Sequence, residues 1–138
     1  MNSAVKGDRS TIVPADDSNT TLQSLKAAMQ HFVTERAWEQ FHSPKNLAMS
    51  LAIEAAEVME HVQWLEPAAS RELKDDPVRK AALGEEIADV FCYLLALCNA
   101  LELDLSEATR AKMLKNQQKY PVEQFRGRYG HDDPSPTR

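Results

Sequence analysis

The sequence predicts an all-α protein, a bundle-like arrangement of four helices around one core, and three observations predict it. Apolar residues recur at helical spacing through residues 20–130. Glycine is scarce, at 4 among 138 residues, while the helix formers Ala, Leu, Glu, Lys and Gln dominate the same stretch. No convincing strand pattern interrupts them.

The first helix is expected from about Thr21 to Arg36, with Leu22, Leu25, Met29, Phe32 and Val33 on one apolar face. Ser43 is a good N-cap and Pro44 suits a first helical position, so the second begins there and runs to about Trp64. Residues 66–77 hold two prolines and many charges, which reads as an exposed linker with room for a helical turn. The third helix should span about Val78 to Leu101. The fourth should run from about Leu105 to Lys119, capped by Ser106 or Asp104 and stopped by Pro121. Residues 1–19 mix Gly, Ser, Asp and Pro without apolar periodicity, so a flexible arm is expected ahead of a single domain at 20–130. HDDPSPTR at 131–138 reads as a flexible tail.

Bulk properties narrow the function. A net charge of -5 disfavours a general nucleic-acid or anionic-membrane surface, which needs clustered Lys and Arg. The longest apolar stretch, Val90 to Leu97, is far short of a membrane span, and the N-terminus lacks a signal-peptide pattern. A cytoplasmic protein is expected. Cys92 and Cys98 diverge by roughly 120° around one helix, so they read as buried free thiols.

The informative residues are acids. On a helical wheel with Leu47 at zero, Leu51, Val58, Val62 and Leu65 mark the buried stripe of the second helix. Glu54 falls inside that stripe at about -20°, and Glu57 flanks it at about -80°. The third helix repeats the pattern. With Leu83 at zero, Ile87, Val90, Leu94 and Leu101 form the stripe, while Glu86 and Asp89 flank one side at about -60° and -120° with Tyr93 between them. If the two stripes pack together, the four carboxylates converge and repel one another unless divalent cations intervene. An all-oxygen donor set suits Mg²⁺ or Mn²⁺ better than zinc or copper. A ferritin-like iron centre would place His at the i+3 positions that Glu57 and Asp89 occupy. The plain alternative is a wet acidic face on each helix. His61 lies near the same face, where a lone His is more often packed or hydrogen-bonded than a ligand.

These pieces together resemble the MazG-like all-α NTP pyrophosphatases, most nearly the dCTP pyrophosphatase branch. The resemblance is carried by ERAWEQFHSPKNLA at 35–48, the ExxE of Glu54 and Glu57, the ExxD of Glu86 and Asp89, and KMLKNQQKYP at 112–121. It implies that Glu54, Glu57, Glu86 and Asp89 bind the magnesium ions that hold a triphosphate. It also implies a nucleoside pocket built from Trp38, Gln40, Phe41 and His42, closed by Trp64 and Tyr93. Aromatic faces stack on a base, and His or amide groups hydrogen-bond its edge. Core packing is the competing reading for Trp38, Phe41 and Trp64. Lys112, Asn116 and Lys119 share one face of the fourth helix, and could hold phosphates or simply complement the helix dipole. Two positions depart from the family pattern. Ile53 precedes Glu54 where many members have a second acid. Met29 stands where some dCTP-directed relatives have a His, which argues against strict cytosine selectivity.

The implied reaction is Mg²⁺-dependent attack of water at the α-phosphorus of a (deoxy)nucleoside triphosphate, with Mn²⁺ as a substitute, giving a monophosphate and pyrophosphate. Glu57 is favoured over Glu54 as general base, and Lys112, with Lys119, would stabilise the leaving pyrophosphate. The resemblance further implies a homodimer or homotetramer with sites near subunit contacts. The alternatives are a non-catalytic helical interaction module with surface acidic pairs, and a phosphatase that would release inorganic phosphate instead.

Overall fold

The computed structural model describes residues 16–128. The expected arm up to residue 15, and the whole of the expected tail, lie outside them. Six helices occur among the described residues: α1 (Leu22–Glu35), α2 (Pro44–Glu60), α3 (Pro67–Glu72), α4 (Pro77–Ala100), α5 (Leu105–Lys119) and α6 (Val122–Phe125), with no strand.

Side-chain caps start the long helices. A helix leaves its first backbone N–H groups without partners, and a short polar side chain ahead of it accepts from them. Thr21 accepts from the Ser24 amide, Ser43 from that of Asn46, and Asp104 from that of Glu107. Asp76 accepts from two, Val78 and Arg79. Asp104 rather than Ser106 is therefore the cap of α5. Two chain reversals use non-glycine residues in the left-handed region. Ala37, with φ 50°, ends α1, and Glu102, with φ 52°, separates α4 from α5.

The central helix is α4. It packs most extensively along α2 and also along α1. Its far end is tied to the start of α1: Asn99 Nδ2 donates to the Lys26 carbonyl at 2.9 Å, and Lys26 Nζ to the Leu103 carbonyl at 2.7 Å. The residues best withdrawn from solvent are Val33, Leu47, Leu73, Leu95, Ala96 and Cys98.

Several expectations need correction. The second helix ends at Glu60, before the expected Trp64, in a turn over residues 61–64. The expected linker holds α3 and a 3₁₀ turn at Leu73–Asp75, and Leu73 is buried because that turn packs on α4. In the α4 stripe, Ile87 and Leu101 point to solvent, whereas Leu95, at about 120° from Leu83 on the same wheel, is 3% exposed. The cause is that α4 is held from two directions, so its buried surface is wider than one stripe and turned toward α1. Both cysteines are free, but only Cys98 is buried; Cys92 is half-buried.

Candidate active site

Packing of α2 against α4 brings acids from both helices together. One carboxylate oxygen from each of Glu54, Glu57 and Glu86 lies within 4.8 Å of the other two. Glu54 and Glu86 are half-buried and Glu57 is exposed. The Glu54 carboxyl is held above its ordinary value of 4.5, first by its partial burial and then by the charges of Glu57, Asp89 and Glu86. No Lys or Arg forms an ion pair with these acids among the described residues; the nearest basic group is His61, whose Nε2 lies 4.0 Å from Glu86 Oε1. Three crowded, hard oxygen donors without a neutralising side chain suit a divalent cation, since ions such as Mg²⁺ take oxygen ligands and offset the repulsion.

Asp89, the fourth expected acid, stands beside this trio. It reaches Glu54 electrostatically and lines a neighbouring cavity of about 430 Å³ with Met29, Phe32, Trp38, His42, Cys92 and Tyr93. That cavity is built by the reversal after α1. The Trp38 amide donates to the Val33 carbonyl at 3.1 Å, and a 3₁₀ turn over Glu39–Phe41 then returns the chain to α2. The turn places His42 parallel to Trp38, ring centres 6.4 Å apart, and Phe32 edge-on to Trp38 at 5.9 Å. Arg36 lies 3.7 Å above the Phe32 ring and braces the corner. His42 Nδ1 sits 2.7 Å from the Trp38 carbonyl. A carbonyl only accepts, so Nδ1 carries the proton and Nε2 of the neutral ring is an acceptor. Burial, with the Asp89 charge second, pushes the Cys92 thiol upward, which favours its uncharged form.

The remaining expected site residues lie elsewhere in the single chain. Gln40 Nε2 donates to the Ala37 carbonyl at 3.2 Å and so supports the turn. Phe41 and Trp64 are 60% and 88% exposed and line no described cavity with Trp38. Lys112, Asn116 and Lys119 ride on α5, which has no buried residue and packs extensively on no other helix. Lys119 instead sits 5.1 Å from the Tyr120 ring. Conversely, Phe32 and Cys92 had read as core residues. Their spacing carried the missing signal, because Phe32 follows Met29 by one turn and Cys92 follows Asp89 by one turn.

A profile of the MazG-like family matches residues 49–129, which take in all four acids, the whole of α4 and the greater part of α2. The chain belongs to the MazG-like family. Among its relatives, the mouse protein named dCTP pyrophosphatase 1 is 36% identical over 92% of this chain and 80% of its own length. The rat protein of the same name is 41% identical over 78% of this chain, which spans 63% of that relative. A crystal structure of a pyrophosphatase from Archaeoglobus fulgidus superposes with a TM-score of 0.66 at 39% identity, covering 80% of this chain and 99% of the other. The aromatic corner at Trp38–His42 precedes the segment matched by the MazG-like profile, and the mouse relative and the archaeal structure extend the likeness to most of the chain.

Proposed function

We propose that this chain hydrolyses (deoxy)nucleoside triphosphates, with dCTP or related and modified deoxynucleotides as its substrates, to monophosphate and pyrophosphate. The curated relatives that this chain resembles are named dCTP pyrophosphatases, and the archaeal structure is that of a pyrophosphatase, which supports this reading. The observation that carries the reading is the meeting of three carboxylates from two helices within 4.8 Å, beside an aromatic cavity whose rim acid is Asp89. Triphosphate and base can then occupy adjoining places.

Glu54, Glu57, Glu86 and Asp89 would hold Mg²⁺, with Mn²⁺ as a substitute. When bound, the ion supplies charge neutralisation along the triphosphate and Lewis acidity toward the attacking water. Glu57, the exposed member of the α2 pair, takes the proton from that water. Trp38 and Tyr93 offer ring faces to the base, and His42 Nε2 accepts a hydrogen bond from its edge.

Exposed apolar residues on α2 and α4, such as Met49, Ile53 and Ile87, support a homodimer or homotetramer, as do Met113 and Leu114 on the bare α5. A second copy packed there would bring Trp64, Lys112, Asn116 and Lys119 into play at subunit contacts. No described helix is long and apolar enough to cross a membrane. The net charge of -5 supports a reading without nucleic acid as a partner.

The test is a panel of canonical and modified (d)NTPs incubated with Mg²⁺, with products separated by chromatography and mass measured by light scattering. Monophosphate plus pyrophosphate from an oligomer is expected. Release of inorganic phosphate with a diphosphate would make it a phosphatase, and no turnover together with no Mg²⁺-linked stabilisation would leave a helical interaction module.

A further inference from the structure

His61 is the C-terminal cap residue of α2, one helical turn past Glu57, and faces the acid cluster from the end where α2 gives way to a turn. Its Nε2 lies 4.0 Å from Glu86 Oε1, with the two side chains 34% and 23% exposed. No hydrogen bond or other ion pair engages either side chain among the described residues. Nor does His61 belong to the close group formed by Glu54, Glu57 and Glu86, so its ring lies beside Glu86 and outside that group.

A carboxylate that gives one oxygen to a cation leaves the other needing a donor, and such outer partners fix the orientation of the ligand. An ionised carboxylate only accepts, so the nitrogen facing Glu86 must carry the proton. A movement of about 1 Å closes the present gap to hydrogen-bond length, within the reach of a side-chain rotation. Contacts of this kind are often long before a ligand binds and tighten afterwards.

We infer that His61 is a positioning residue: it holds the Glu86 carboxylate in the orientation that receives the cation, without ligating the ion itself. This rests on the reading of the acid cluster as a divalent-cation site. His61→Leu then leaves Glu86 free to swing into solvent. Gln at the same position restores an N–H of similar reach.

The experiment is a Mn²⁺ titration of the full chain followed by electron paramagnetic resonance of the free ion, on wild type, His61→Leu, His61→Gln and His61→Asn. The expected result is a Kd raised about tenfold in the Leu and Asn variants and within about twofold of wild type in Gln. Thermal unfolding without metal should be equal across the set. Should the Leu variant fail to fold, the Asn variant, whose amide falls short of Glu86, makes the same comparison. Wild-type affinity in Leu or Asn overturns the positioning role, as does failure of Gln to rescue. A wild-type chain that takes up no Mn²⁺ overturns this inference and the metal site together, which separates the two failures.

Discussion

The α2–α4 pair and α5 make an instructive contrast, since both carry charged residues at helical spacing and both begin with a side-chain cap. In the pair, two helices pack along their length, and acids remote in sequence come within 4.8 Å. In α5, Lys112, Asn116 and Lys119 share a face, yet the helix buries nothing and its cations meet no acid of the cluster within the chain. Helix formation is local, whereas convergence of side chains needs a second surface to pack against. The same difference separates Leu47, 2% exposed on α2, from Leu114, 59% exposed on α5.

The largest effect should come from the cluster. Glu54→Gln is expected to lower kcat by at least about 10³-fold, a size typical of losing a group that acts on the transition state. Circular dichroism and metal-free melting should stay like wild type, and an active variant would detach the cluster from the chemistry.

Next in size is the packing contrast. Leu47→Ala should cost about 3 kcal/mol in urea unfolding, through lost burial and a residual cavity. Leu114→Ala should cost less than about 0.5 kcal/mol in the dilute, dissociated chain. A large loss from Leu114→Ala under those conditions would mean that α5 is not bare. Lys112→Ala sharpens the comparison from the other side, with an expected fall of about 10²-fold in kcat/KM and unchanged melting. An unchanged kcat/KM would leave Lys112 a surface charge near a helix end.

Acidity provides a subtler test. The folded chain holds the Glu54 proton more tightly than the unfolded chain does, so in the absence of metal the stability contributed at this position falls as pH rises past 4.5. It levels off once pH exceeds the raised folded value. The difference in melting between wild type and Glu54→Gln, measured across that range without metal, should therefore shift against wild type as pH rises. An opposite slope would place a cation beside Glu54.

The smallest change concerns the turn before the cavity. Ala37 occupies the left-handed region, which disfavours a residue with a Cβ, so Ala37→Gly should raise stability by about 1 kcal/mol in urea unfolding. Destabilisation would show that the Ala37 methyl packs on its neighbours.

Much of the fold was legible because its causes lie within a few residues. Ser43 announced the start of α2 by its capping chemistry, Asp104 and Ser106 were both candidate caps for α5, and α4 and α5 began and ended within one residue of expectation. The acid pairs were legible through the helical wheel, as misfits on apolar stripes. Leu73 escaped notice because its six-residue neighbour helix is too short for periodicity to register. Trp64 looked like a pocket wall, but α2 ends before it and leaves the indole 88% exposed in this chain.

By itself the sequence determined the helical class, the starts of the four long helices and the candidate acids, since caps, propensities and i, i+3 spacing act over single turns. Only the tertiary structure decided which acids share a site, that Asp89 turns toward the aromatic cavity, that Leu95 rather than Ile87 enters the core, and that α5 stands apart. Those outcomes depend on how α4 is wedged between α1 and α2, and packing between segments tens of residues apart has no periodic signature along the chain.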